Sequence, residues 1–240
     1  MSGQALIDAR VGESPAAPGW FGKVVMLGDF AHRRLPQKFI AVCDPWLSQS
    51  IGASRVQLGS RWLDTYLTGP IWRFAWAPGV VDANWWFGVL MPSVDAVGRY
   101  FPLLVCGSDQ NPPMSTNAFD ALSAWYAHAG RAALGTLQPG ASLDSFEAEL
   151  AQALPWQQAA ATPPEVQATA KRTRHVLPGP ATVGQWAHAL ANPLFTQTYL
   201  RHSFWFPSQA EGGATTDSSL TVVSGLPDPD QFSLMLEGRW

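Results

Sequence analysis

Three apolar, aromatic runs dominate the first half of this 240-residue sequence, at residues 71–77, 85–91 and 101–106. The first run alternates strictly, with Trp72, Phe74 and Trp76 on one side and smaller or charged residues on the other, which predicts a β-strand. The runs contain few polar positions, as in strands that are buried on both faces. We therefore expect one sheet with helices packed above and below it.

Further strands are predicted at residues 20–26, 203–206 and 219–223. Apolar residues at helical spacing predict a helix that starts near Pro36, and Pro45 predicts its break or kink. A second helix is predicted over residues 60–67, with Ser60 as its cap.

Further helices are predicted in the second half of the chain. A long helix is expected over residues 117–137, and Ser142 caps another over residues 143–154, with Glu147 and Glu149 pointing outward. A helix over residues 181–190 is expected to end before Asn192-Pro193, and a short terminal helix to start at Asp228-Pro229.

The domain organisation that we predict is simple. Residues 1–18 are polar and rich in Ala, Pro and Gly, and we interpret them as a disordered leader. Residues 19–240 form a single α/β domain, in which the proline-rich segment 155–180 is a loop or excursion.

The charge content is low: 14% of residues are charged and the net charge is −3, whereas the chain contains 12 tryptophans. Globular proteins usually have about 25% charged residues. Either the core is unusually aromatic or a partner covers part of the apolar surface. The chain lacks the concentrated Lys and Arg that bind nucleic acid, and it has no run of 18 apolar residues or secretory signal. We expect a cytoplasmic protein without membrane insertion.

No pattern in the sequence predicts catalysis. Nucleophile elbows, phosphate-binding loops, paired carboxylates and histidines at metal-ligand spacing are all missing, so we expect no catalytic residues, no metal and no cofactor. Cys43 and Cys106 lie in apolar contexts and are predicted to be reduced core residues. An unrecognised hydrolase that uses scattered Asp, His and Ser remains an alternative hypothesis.

Two polar segments at predicted strand ends stand out, residues 28–36 and 90–102. They hold the candidate protein-binding residues, which are Asp29, Arg33, Arg34, Asp95, Arg99 and Tyr100. In one interpretation, Asp29 or Asp95 pairs with Arg99 or Arg34 and ties the loops to the body. In the other, the segments form an exposed patch that docks a partner, since Arg and Tyr often anchor interfaces.

These segments also carry a family resemblance. The motifs PGWFGK (residues 18–23), GDF (28–30), RRLP (33–36) and YLTGPIWRF (66–74) resemble the TagF/ImpM family of type VI secretion-associated proteins. The most specific motifs are GVLMPSVD (88–95) and VGRYFPL (97–103), and FWF (204–206) and GLP (225–227) with Phe232 are similar more weakly. The stretch VVML (24–27) departs from the family pattern, and we expect no attached phosphatase domain of the kind that some relatives carry.

The resemblance implies a three-layer α-β-α sandwich with a largely buried, mixed or antiparallel sheet. It also implies a cytoplasmic accessory protein that represses type VI secretion assembly or firing post-translationally, by binding a forkhead-associated-domain scaffold protein. The alternative is an assembly or structural factor that binds a baseplate or membrane-complex component. The family supplies no catalytic residues to transfer.

Overall fold

The computed structural model of the protein describes residues 7–8, 17–112, 116–156, 165–169, 172–177, 182–208 and 219–240. The strands are β1 (Ile7–Asp8), β2 (Gly19–Gly22), β3 (Ala31–Arg33), β4 (Trp72–Trp76), β5 (Trp85–Met91), β6 (Leu103–Asp109), β7 (Glu165–Thr169), β8 (Arg172–Val176), β9 (His202–Pro207) and β10 (Thr221–Ser224). The α-helices are α1 (Gln37–Leu58), α2 (Trp62–Leu67), α3 (Thr116–Gly135), α4 (Leu143–Ala151), α5 (Val183–Thr198) and α6 (Phe232–Leu236).

The main sheet has the strand order β1-β3-β2-β6-β5-β4-β9-β10. Strand β1 pairs parallel with β3, and every other neighbouring pair in this order is antiparallel. The predicted α/β class and the largely antiparallel sheet are thus confirmed. Strand β9 lies beside β4, so the late part of the chain completes the sheet that the early part begins.

Two separate apolar clusters lie on the two faces of this sheet. On the first face, strand residues such as Phe74 and Trp205 pack with α1, α2 and α6. On the second face, residues such as Phe87 and Val105 pack with α3 and α4. Successive residues of a strand point to opposite faces, so alternate residues of the same strands belong to the two clusters. This arrangement is the one that the continuous apolar runs predict.

Aromatic rings fill the first face. The Trp76 ring stacks on Phe74 at a centroid distance of 4.2 Å and lies 5.6 Å from Phe39 of α1. Trp46 and Trp205 complete the group, with centroids 6.1 and 5.8 Å from Trp76. Offset and edge-on ring contacts of this kind add about 0.5–1.5 kcal/mol each beyond the area they bury. The tryptophan excess is therefore used largely inside the core.

Indole N–H groups also fasten the C-terminal segment to the first face. Trp46 Nε1 donates to the Pro227 carbonyl oxygen at 2.8 Å, and Trp72 Nε1 donates to the Met235 carbonyl oxygen at 3.0 Å. Each bond satisfies a buried donor that would otherwise be costly.

The helix end predicted before Asn192-Pro193 is wrong, and of the break or kink predicted at Pro45, the break does not occur. Helix α1 continues through Pro45 to Leu58, and α5 continues through Pro193 to Thr198. In α1, Phe39 and Cys43 before the proline and Leu47 after it are all fully buried against the sheet. Their packing outweighs the loss of one helical hydrogen bond.

The structure places strands within three segments for which none were predicted. The predicted loop 28–36 contains strand β3, which forms a hairpin with β2. The predicted loop 155–180 contains the β7–β8 hairpin, although its residues 157–164, 170–171 and 178–180 lie outside the described part. Of the predicted leader, Ile7–Asp8 forms β1, and residues 1–6 and 9–16 lie outside the described part. Short strands with mixed composition carry too weak a periodic signal to be predicted.

The capping predictions had different outcomes. Ser142 caps α4 as predicted, since its side chain accepts a hydrogen bond from the backbone N–H of Ser145. Ser60 does not cap α2, because it lies in a 3₁₀ turn, Gly59–Arg61, that runs directly into that helix. Cys43 and Cys106 are both free and buried, as predicted.

Gly88 marks the tightest point of the sheet and yields the first testable prediction. It lies directly between Phe74 and Cys106 on neighbouring strands, and a Cβ atom at Gly88 would lie 2.4 Å from Phe74 Cζ and 2.6 Å from Cys106 Cβ. We expect Gly88→Ala to lower the free energy of unfolding by about 1–3 kcal/mol through overpacking. Urea denaturation measures it.

The matched control is Gly52→Ala. Gly52 is exposed in α1 and has open space around its Cβ position. We expect this variant to gain about 0.5–1 kcal/mol, because glycine weakens helices relative to alanine. Equal stability of the two variants would contradict the packing argument.

Candidate functional site

Asp95 organises the turn between β5 and β6. Its Oδ1 accepts hydrogen bonds from the backbone N–H groups of Val97 (3.1 Å) and Arg99 (2.8 Å), and its backbone N–H donates to the Arg99 carbonyl oxygen at 3.1 Å. Gly98 completes the turn at a φ of 81°, which favours glycine. Pro92 and Ser93 precede the turn, so the segment predicted as a polar loop is tightly folded.

The second oxygen of Asp95 holds two cations. Oδ2 lies 2.9 Å from Lys23 Nζ and 2.7 Å from Arg99 Nε, and the Asp95 side chain is fully buried. Lys23 is also nearly fully buried, and its ammonium lies 4.6 Å from the centre of the Phe30 ring. A buried carboxylate with two cations is satisfied within the fold.

The pKa of Asp95 reflects this environment. Burial raises the pKa, but hydrogen bonds from the Arg99 backbone N–H and from the Lys23 and Arg99 side chains outweigh burial and lower it to about 2 from 3.8. The charged form of Asp95 is therefore the form that the native structure stabilises.

Asp29 and Arg99 form the accessible edge of this turn. Arg99 also donates from its terminal guanidinium nitrogen to the Gly28 carbonyl oxygen, and the same nitrogen lies 3.7 Å from Asp29 Oδ1. The side chain of Arg99 is 46% exposed and that of Asp29 is 31% exposed. Arg99 and Asp29 are the charged side chains at this edge, and Val97 beside them in the turn is 67% exposed.

Tyr100 belongs to the aromatic core more than to the surface. Its ring packs edge-on against Trp62 at 5.8 Å and Tyr66 at 5.7 Å. The Tyr66 hydroxyl donates to the Ser93 carbonyl oxygen at 2.9 Å, which joins α2 to the segment before the turn.

Arg33 and Arg34 bind a residue that the sequence did not indicate. Arg34 lies 2.7 Å and Arg33 lies 3.4 Å from the Glu147 carboxylate of α4, and Trp20 Nε1 donates to the same carboxylate at 2.6 Å. The prediction that Glu147 points outward is wrong, because α4 packs over β2 and β3. Periodicity alone does not show that a carboxylate beside the buried Phe146 meets two arginines.

Arg34 adopts a strained backbone with a φ of 56°, which non-glycine residues rarely adopt. Its Nε donates to the Pro18 carbonyl oxygen at 2.9 Å, and this contact joins the Glu147 ion pair in holding the conformation. The strain is thus offset by contacts to both the preceding chain and α4.

The six candidate residues therefore divide among three places. Asp29, Asp95 and Arg99 meet at one end of the β2–β3 hairpin, and Arg33 and Arg34 lie toward its other end against α4. Tyr100 packs on α2. The predicted pairing of Asp95 with Arg99 is present, and Arg34 pairs with Glu147 rather than with Asp29 or Asp95.

A cleft of about 470 Å³ lies beside Arg34, at the ends of β2 and β6. Its charged side chains already have partners, since Arg34 binds Glu147 and Asp82 accepts from Trp86 Nε1 and the Asn84 backbone N–H. Among the described residues, no group of three or more His, Cys, Asp or Glu is arranged to bind a metal ion. Within the same residues, no helix is both long enough and apolar enough to cross a membrane.

Comparisons with known proteins identify the class. Residues 19–153 match the model of the TagF N-terminal domain, which is type VI secretion system-associated. The chain also resembles the crystal structure of PA0076 from Pseudomonas aeruginosa PAO1, with 33% identity, a TM-score of 0.69 and coverage of 92% of this chain and 94% of that one. A search of curated proteins returns no match.

The protein is therefore a type VI secretion-associated protein. It belongs to the TagF family, since the family model covers more than half of the chain. The resemblance read from the sequence motifs is confirmed.

The burial of Asp95 gives the second prediction. We expect Asp95→Asn to destabilise the protein by about 3–5 kcal/mol, because it leaves the buried Lys23 ammonium without a counter-charge. Asp29→Asn is the matched control, and since Asp29 is partly exposed and 3.7 Å from Arg99, its cost stays within about 1 kcal/mol. Chemical denaturation of both variants measures the difference, and equal costs would refute the structural role of Asp95.

The depressed pKa of Asp95 gives a third prediction. A carboxylate whose folded pKa is about 2, below its ordinary 3.8, stabilises the fold above pH 4 and loses this contribution as the pH falls toward 2. We expect wild type to lose about 2 kcal/mol more than Asp95→Asn between pH 5 and pH 2. The free energy of unfolding of both proteins is measured by denaturation at several pH values, and an equal loss in the two proteins would contradict this prediction.

Proposed function

We propose that this protein represses the assembly or firing of a type VI secretion system post-translationally, by binding a forkhead-associated-domain scaffold protein in the cytoplasm. Membership of a type VI secretion-associated family is the observation that supports this proposal most directly. The mechanism is mass action: scaffold held in the complex is withdrawn from assembly.

The proposal assigns the protein a binding role and no catalysis. Its support is the way in which the candidate polar residues are used. Asp95, Arg33 and Arg34 each form ion pairs inside the fold, and the charged residues of the 470 Å³ cleft are likewise engaged. Groups held in this way stabilise loops, while the exposed Asp29 and Arg99 remain available for a partner.

We also propose that the two helical layers and the sheet form a three-layer α-β-α sandwich within one domain, residues 19–240. The sandwich is supported by the separate apolar clusters on opposite faces of the sheet. The single domain is supported by the pairing of β9, late in the sequence, with β4, early in the sequence.

Gene deletion tests the repressor role and is the fourth prediction. In a strain whose secretion system is under threonine-phosphorylation control, we expect deletion to raise the amount of secreted type VI substrate in the culture supernatant. Quantitative immunoblotting of the supernatant measures it, with expression of the wild-type chain from a plasmid as the control.

Loss of secretion after deletion would instead support the assembly-factor alternative. Direct binding is tested separately with the purified scaffold protein, and the absence of a complex at micromolar concentration would refute the proposed partner.

A further inference from the structure

Arg73 is an unusual residue for its position. It lies in β4, which has β5 on one side and β9 on the other, and it points to the second face of the sheet. Its directly paired neighbours on that face are Val89 and Phe206. The Tyr126 ring packs on Phe206 at 5.5 Å, so the guanidinium is set among apolar and aromatic groups.

This guanidinium is half-buried and has no counter-charge among the described residues. One terminal nitrogen donates to Ser208 Oγ at 3.2 Å, and the buried Nε has no hydrogen-bond partner. Among the described residues, no carboxylate lies within ion-pair distance of Arg73. The buried Nε has lost its hydration without a replacement bond, which is unfavourable for the free protein.

The charges elsewhere near the sheet make Arg73 an exception. Lys23, Arg33 and Arg34 are each paired with a carboxylate inside the fold. Arg73 alone among these four cations is half-buried and without such a partner.

The surface around Arg73 is an incompletely covered sheet face. Ile71, Ala75, Phe204 and Phe206 on this face are only half-buried, although they pack against the second cluster. Val222 of β10 pairs with Phe204 and is 40% exposed. We call this surface, formed by Ile71, Arg73, Phe206 and Val222, the Arg73 face.

We propose that the Arg73 face docks an acidic segment of the scaffold protein, with a partner carboxylate paired to Arg73 and apolar partner side chains on Ile71, Phe206 and Val222. The proposal rests on the function proposed above and adds the contact surface and its chemistry. An arginine beside aromatic groups is typical of an interface hot spot, and a partner carboxylate supplies the missing counter-charge.

The Arg73 face and the Asp95 turn lie toward the same end of the sheet. Trp72 pairs with Leu90, one residue before the end of β5, so Ile71 lies at the end of the sheet from which the Asp95 turn extends.

The test compares full-length wild type with Arg73→Met, which replaces the aliphatic stem of arginine with an unbranched apolar side chain and removes the charge. Titration calorimetry with the purified scaffold protein measures affinity, and thermal unfolding measures stability. We expect Arg73→Met to bind at least about tenfold more weakly, the effect of losing an anchor residue. Its melting temperature should stay equal to or above that of wild type, because no internal ion pair is lost.

Two further variants sharpen the result. Arg131→Met removes an exposed positive charge from α3 and should bind like wild type. Val222→Asp places a negative charge on the exposed edge of the Arg73 face and should weaken binding without disturbing the core, which keeps the test decisive where Arg73→Met fails to fold.

Several outcomes would overturn the proposal. Binding of Arg73→Met or of Val222→Asp within twofold of wild type would remove the Arg73 face as the contact. Where Arg73→Met loses more than about 8 °C in melting temperature, the affinity of Val222→Asp alone decides, and binding within twofold of wild type then overturns the proposal. If Arg131→Met lost as much affinity as Arg73→Met, the loss would reflect the net charge of the protein and not a contact at Arg73. If wild type itself does not bind the scaffold, the proposed partner fails and this contact with it.

Discussion

Helices cover both faces of the central strands, so a charged side chain near the sheet must find its counter-charge inside the protein or lose stability. Asp95 meets this constraint with Lys23 and Arg99, and Glu147 meets it for Arg33 and Arg34. These two groups hold the β2–β3 hairpin at both of its ends. In a chain with 14% charged residues, many of the charged side chains near the sheet therefore form ion pairs within the fold.

The same constraint separates the residues that serve the fold from those that can serve a partner. Asp95 is fully buried and fully bonded, whereas Arg99 is 46% exposed although it touches the same carboxylate. Arg73 is half-buried with its charge unmatched among the described residues. The contacts that we propose for a partner therefore lie at the exposed side chains of the turn and on the half-buried second face.

The sequence predicted the central strands well because their pattern is strong. Trp72, Phe74 and Trp76 alternate with period two, and β4, β5 and β6 lie where these runs occur. Ser142 was readable as a cap because that preference is local. The ion pairs of Glu147 and Lys23 could not be predicted, because their partners lie far along the chain. Arg34 is 113 residues from Glu147, and Asp95 is 72 residues from Lys23. The helix end predicted before Pro193 was wrong, and α1 continues unbroken through Pro45 because the residues on both sides of it are buried against the sheet.

The pairing of β9 with β4 means that the boundary of the family match is not a boundary of folding. The matched region ends at residue 153, yet β9 and β10 extend the sheet, and Pro227 and Met235 accept from buried indoles of α1 and β4. A fragment that ends at residue 153 would expose the edge of β4, because β9 would be missing. It would also expose the tryptophans of β4, and exposed strand edges pair with other chains. Fragment-based interaction studies on this protein would then report self-association in place of recognition.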